Sequence, residues 1–193
     1  MIEKVKEDVA EFLQPSTEYL VKRRWRPNFL TMIGFGLNLV AATLFGLDYL
    51  RWAGFVVLLA GLFDFLDGQV ARAGRTETTF GALLDSTVDR YSEIFIWFGI
   101  AVSFIRADSL WTSSAIFFAL AGSLMVSYVR ARAEGLGETC DVGFVQRPER
   151  VIAIGVGALV GEMGLQIAIW AIALLANVTA LHRVFHIQKR AKP

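Results

Sequence analysis

Apolar residues in this chain fall into six runs separated by polar stretches, at 29–49, 52–71, 80–105, 110–129, 151–165 and 166–182. Most of these runs come close to the roughly 20 residues a helix needs to cross about 30 Å of hydrocarbon. The pattern predicts an all-α fold, an integral membrane bundle of about six transmembrane helices. The last two runs are short, and the turn Gly161-Glu162-Met163-Gly164 between them is their weakest boundary. A single re-entrant hairpin is the alternative there. Ahead of the first run, Val5, Val9, Phe12, Leu13, Tyr19 and Leu20 recur at roughly helical spacing among Glu and Lys. This predicts an N-terminal amphipathic helix lying in the membrane interface, bent or interrupted at Gln14-Pro15. A plain solvated helix is the other reading.

Composition supports the membrane assignment. The chain has 193 residues and is 55% hydrophobic, which excludes an ordinary water-soluble globule unless the apolar residues form one unusually large core. They are instead dispersed along the chain in span-sized pieces. No fixed-period repeat, Ser/Gly linker or low-complexity tract divides it. A single domain is expected over 1–193, with an interfacial helix and basic segment at 1–26, the bundle at 27–183 and a cytoplasmic tail at 184–193.

Charge sets the expected orientation. Sixteen of the nineteen Lys and Arg residues lie in four segments: before Asn28, at Arg72 and Arg75, from Arg130 to Arg150, and from Arg183 to Lys192. Basic residues near span ends stay on the cytoplasmic side. A multi-pass protein of the cell membrane is expected, with both termini cytoplasmic and no cleavable signal peptide. The cluster Lys22-Arg23-Arg24-Trp25-Arg26 should meet anionic lipid headgroups. No nucleic-acid partner is expected. The lone Cys140 excludes an intrachain disulfide.

The chemistry lies in residues 64–90, which read DFLDGQVARAGRTETTFGALLDSTVDR. Asp64 and Asp67 are three apart, and Asp85 and Asp89 four apart, so each pair lies on one face of its helix. If the second and third spans are antiparallel neighbours, the two pairs can face each other near the cytoplasmic ends. Four carboxylates in one small volume need a cation, because ionised groups in a membrane are costly. With no His or Cys nearby in sequence, an all-oxygen set points to Mg²⁺, Mn²⁺ or Ca²⁺, which can clamp a phosphate chain. Arg72 follows on the same helix and could bind a diphosphate with its guanidinium fork. Gly68, Ala71 and Gly81 would let a flat group approach the backbone, although Gly68 and Gly81 could simply be helix-packing glycines. A structural charge network, or a cation-coupled membrane transporter, is the rival reading of the aspartates.

The spacing Asp64-x-x-Asp67-Gly68-x-x-Ala71-Arg72, eight residues, Gly81-x-x-x-Asp85-x-x-x-Asp89 resembles the complete signature of the CDP-alcohol phosphatidyltransferase family. The span count and chain length resemble that family too. The resemblance implies metal binding by Asp64, Asp67, Asp85 and Asp89, with Mg²⁺ or Mn²⁺ as cofactor and Asp89 as general base. It implies nucleotide packing by Gly68, Ala71 and Gly81, and diphosphate binding by Arg72. Pro27-Asn28-Phe29-Leu30-Thr31 is similar to the family's start of the first span, which makes Asn28 and Thr31 candidate donor contacts. Asn28 also reads as an ordinary helix N-cap. Homodimerisation is implied as well.

The acceptor is sought in Ser127-Tyr128-Val129-Arg130-Ala131-Arg132-Ala133-Glu134 and Gln146-Arg147-Pro148-Glu149-Arg150. Four arginines, Arg130, Arg132, Arg147 and Arg150, stand at cytoplasmic helix ends and suggest an acceptor that carries its own phosphate. Positive-inside anchoring explains any one of them equally well. The two stretches resemble those of phosphatidylinositol phosphate synthases, with Arg130 where those enzymes commonly carry Lys. The expected reaction moves a phosphatidyl group from CDP-diacylglycerol to a phosphorylated polar alcohol, most simply inositol phosphate, with release of CMP. Phosphatidylglycerophosphate synthesis and di-inositol phosphate synthesis from CDP-inositol are alternatives within the same family.

Overall fold

The computed structural model describes residues 2–190, with side chains from Glu11 onward apart from Phe12. Seven helices are described: α1 (Ile2–Lys22), α2 (Pro27–Gly46), α3 (Leu50–Ala73), α4 (Thr79–Arg106), α5 (Leu110–Glu134), α6 (Arg147–Val160) and α7 (Glu162–Arg190). The six apolar runs correspond in order to α2 through α7, and no strand occurs among the described residues. Four of them, α2, α3, α5 and α7, are both long and apolar enough to cross a membrane. α4 has the length but carries Asp85, Asp89, Arg90 and Glu93. α6, with 14 residues, extends about 21 Å at 1.5 Å per residue and is too short to cross alone.

The helices from α2 to α7 close into a ring. α2 packs on α3 and α4, α3 on α6, α6 on α7, α7 on α5, and α5 on α4. Val57, Phe45, Trp97, Ile100, Leu165 and Ile169 fill its interior. α3 and α4 do not pack closely on each other, contrary to the neighbour arrangement considered above, and each lies against α2 instead. The space left between them holds the acidic cluster.

Small residues set how closely the ring closes, as is usual where lipid supplies no hydrophobic drive between helices. A Cβ on Gly54 would stand 2.6 Å from the carbonyl oxygen of Gly155, and one on Gly99 would collide with that of Ala42. Gly99→Ala is therefore expected to push α4 off α2 at a cost of about 1–3 kcal/mol, read as a lower melting temperature in detergent. Gly36→Ala is the control: nothing lies within 4 Å of its Cβ position, and an unchanged melting temperature is expected. Equal melting temperatures for both variants would remove the close-packing argument.

Three boundaries differ from the sequence reading. α1 runs through Pro15 without interruption. Glu11, Gln14 and Pro15 all face outward, so the carbonyl that Pro15 leaves unpaired lies on the exposed side. Buried Leu13 and Thr17 mark the opposite face of α1, which packs on α3. The side chains of Val5, Val9 and Phe12 lie outside the described residues. The break between the last two helices falls at Gly161 alone, whose φ of 119° suits glycine. The tail expected from residue 184 is helical as far as Arg190, with 191–193 outside the described residues.

Candidate active site

At one end of the ring, the α3 and α4 carboxylates meet side chains from α2 and α6. Thr31 Oγ1 on α2 donates to Asp67 Oδ2 at 2.6 Å. Arg147 at the start of α6 places Nη2 2.7 Å from Asp64 Oδ2 and 2.7 Å from Asp89 Oδ1. Only the Asp64 contact has hydrogen-bond geometry; Asp89 Oδ1 has no hydrogen-bond partner, so Arg147 holds it by charge alone. Arg90 Nη2 lies 3.3 Å from Asp89 Oδ2. No ion pair reaches Asp85 among the described residues, although it lines the same cavity as Asp67.

Two cavities flank this cluster. The first, about 180 Å³, is lined by Asn28, Thr31, Asp67, Gly68, Ala71, Arg72, Gly81 and Asp85, among others. Every residue expected to touch the donor therefore lines one space. Gly81 belongs there for a steric reason, since a Cβ on it would stand 3.0 Å from Thr78 Oγ1 and 3.2 Å from Asn28 Oδ1. Thr78 caps α4 by accepting from the Gly81 N–H at 3.0 Å. Asn28 is not the N-cap of α2: that position is Arg26, and Pro27 already opens the helix.

The second cavity, about 710 Å³, is lined by Asp89, Arg90, Ser127, Arg130, Arg147 and Arg183, among others. The expected group of four arginines is rearranged. Arg130 and Arg147 line the cavity. Arg130 is paired with Glu134 at 2.8 Å and Asp141 at 3.1 Å. Arg132 is exposed and does not line it, and neither does Arg150. The Arg150 side chain is wholly buried and gives Nε and Nη2 to the two carboxylate oxygens of Glu93, at 2.8 and 3.0 Å. α4 and α6 are not closely packed, so Arg147 and Arg150 bridge them with their side chains.

Arg183, Arg90 and Glu93 did not stand out in the sequence. Arg183 is buried on α7, where Nε donates to Val142 O at 2.8 Å and Nη1 to Val126 O at 2.6 Å. Counting Arg183 only as an anchoring charge hid it. An ionisable residue within an apolar helix is itself a functional signal, and that would have found Arg183 and Glu93.

Among the described residues, no three His, Cys, Asp or Glu side chains are gathered as a ready metal site. The donor chemistry nevertheless fits a hard divalent cation: the acidic residues offer only carboxylate oxygens, and Asp64 and Asp89 already share one cationic nitrogen. Arg147 stands where such a positive charge is wanted.

A helical membrane bundle whose carboxylates divide a small cavity from an arginine-lined one is suited to moving a phosphoryl group between two substrates. The comparisons say which kind. The chain belongs to the CDP-alcohol phosphatidyltransferase family, whose model matches residues 24–185, and it is a transferase. It is 36% identical over 192 residues, covering 98% of both chains, to the archaetidylinositol phosphate synthase of Pyrococcus horikoshii. It is 35% identical over 189 residues to the phosphatidylinositol phosphate synthase of Mycobacteroides abscessus, covering 93% of this chain and 84% of the relative. Among solved structures, it superposes on the Mycobacterium tuberculosis phosphatidylinositol phosphate synthase with CDP-DAG bound, at a TM-score of 0.81 and 31% identity, covering 91% of this chain and 93% of that one. The same enzyme in complex with manganese and citrate gives a TM-score of 0.79 at 30% identity, covering 90% and 88%. The transporter reading is set aside.

Proposed function

We propose that this enzyme transfers the phosphatidyl group of CDP-diacylglycerol, or its equivalent in a related CDP-linked lipid, to a hydroxyl of inositol phosphate and releases CMP. The observation that carries this reading is the acidic cluster shared between two cavities, with Asp67 and Asp85 lining the one that holds the donor residues and Asp89 lining the one that holds the arginines. The relatives named above include an archaetidylinositol phosphate synthase and phosphatidylinositol phosphate synthases, which supports the acceptor more than the lipid.

Asn28, Gly68, Ala71 and Gly81 hold the nucleotide, and Arg72 the diphosphate. Asp64, Asp67, Asp85 and Asp89 hold Mg²⁺ or Mn²⁺, which when bound supplies positive charge to the diphosphate during displacement. Asp89 accepts the proton of the acceptor hydroxyl. The oxygen so freed attacks the β-phosphorus, and the bond from that phosphorus to the oxygen bridging it to CMP breaks. Arg130, Arg147 and Arg183 hold the acceptor phosphate, while Arg150 positions α6 through Glu93. The site end faces the cytoplasm, a reading supported by the basic residues concentrated there, and the enzyme works as a homodimer, as the family resemblance implies.

The test is an acceptor screen with radiolabelled CDP-diacylglycerol and inositol phosphate, glycerol phosphate or inositol. Product from inositol phosphate alone is expected. Arg130→Gln should raise the KM for inositol phosphate about ten- to hundredfold, the weight of one charge-assisted contact, and leave the donor KM unchanged. Arg132→Gln should change neither. Equal use of unphosphorylated inositol would remove the phosphate pocket, and preference for glycerol phosphate would reassign the acceptor.

A further inference from the structure

Arg147 borders both halves of the site. Its guanidinium lies between Asp64 and Asp89, and its side chain also lines the arginine-rich cavity. Both roles cannot be filled at once by the same nitrogen. Two oxygens that share one Nη2 at 2.7 Å leave no room for a divalent cation bound by the same oxygens at the roughly 2.0–2.1 Å of Mg²⁺. The contact to Asp89 is the one easily given up, because no N–H points at Oδ1. Asp89 would not be left bare, since Arg90 remains 3.3 Å from Oδ2. The base cap of the movement is also built: Arg150, one turn further along α6, is locked on Glu93, so α6 stays in register while the Arg147 side chain turns.

We infer that Arg147 is an exchange latch, neutralising Asp64 and Asp89 before the metal binds and turning into the adjacent cavity to take the acceptor phosphate once it has bound. The inference rests on the acceptor reading above. It adds an order of events. Arg147 is free for the acceptor only when the carboxylates have another cation. Metal and acceptor thus favour each other's binding, and by linkage the effect is equal in both directions.

The experiment is calorimetric titration of purified, donor-free protein in detergent, with Mn²⁺ alone and with inositol phosphate in the presence and absence of Mn²⁺. Wild type should bind inositol phosphate about tenfold more tightly when Mn²⁺ is present, within the roughly 5- to 150-fold usual for coupled sites. Arg147→Gln should bind Mn²⁺ more tightly than wild type, having lost its internal competitor. It should bind inositol phosphate weakly, with or without Mn²⁺. Arg147→Lys, which keeps the charge but loses the fork, should fall between them and serves if the Gln variant does not fold. An ordinary acceptor ligand predicts unchanged Mn²⁺ affinity in Arg147→Gln, and a purely structural residue predicts weaker Mn²⁺ binding; either result overturns the latch. So does a full Mn²⁺ gain in acceptor affinity that survives in Arg147→Gln. Failure of the acceptor reading looks different: wild type would then bind no inositol phosphate under either condition.

Discussion

Asp89→Asn is expected to turn over about 10²- to 10⁴-fold more slowly than wild type, the usual weight of a general base. The substitution keeps the size and polarity of a buried side chain and removes only its capacity to accept a proton and its negative charge. Both are needed at that position. Asp89 borders the arginine-lined cavity, where the acceptor hydroxyl must lose its proton, and it is one of the carboxylates expected to hold the metal. CMP release from CDP-diacylglycerol measures the effect. Wild-type protein in EDTA should fall to a comparable floor and recover on addition of Mn²⁺ or Mg²⁺, whereas the variant should not recover at any metal concentration. Donor binding should survive better than turnover, since Asp89 does not line the donor cavity. A variant retaining more than half of wild-type activity would refute the role, and full wild-type turnover in chelator would remove the metal.

Arg150→Met should destabilise the protein by about 3–5 kcal/mol, because it leaves Glu93 buried and charged with no partner. The pair is bidentate and almost free of solvent, with side chains 1% and 9% exposed. Replacing both residues, as in Glu93→Leu with Arg150→Met, should restore most of the loss, since a buried ion pair exchanged for apolar groups of similar volume is often neutral. The apparent melting temperature in detergent reads both steps. Activity separates positioning from stability: the double variant should be folded yet slow, because α6 has lost the tie that brings Arg147 to the carboxylates. A stable Arg150→Gln protein with a raised acceptor KM would instead place Arg150 among the phosphate ligands, where the sequence reading had it.

The sequence revealed the donor half of the site more fully than the acceptor half. Asp64, Asp67, Gly68, Ala71 and Arg72 lie within nine consecutive residues of one helix, and Gly81, Asp85 and Asp89 within nine of the next. Helical periodicity alone fixes which side chains share a face over that distance, and all but Asp64 and Asp89 line one cavity. The number and order of the helices followed from span-length apolar runs for the same local reason. Boundaries were less certain where one residue governs the backbone, as at Gly161, or where a proline sits on an exposed face, as at Pro15.

The arginines were beyond that reach. Arg130, Arg132, Arg147, Arg150 and Arg183 come from three helices, and no spacing along the chain says how those helices are arranged around the ring. The order of packing leaves α4 apart from both α3 and α6. Into that gap go the longest side chains available, Arg147 to Asp64 and Asp89, and Arg150 to Glu93. Composition and periodicity determined a membrane bundle with two acidic helical faces, because both properties are local to a helix. Which cation neutralises which carboxylate was decided only by tertiary packing, because a flexible arginine takes the partner that the gap between helices offers.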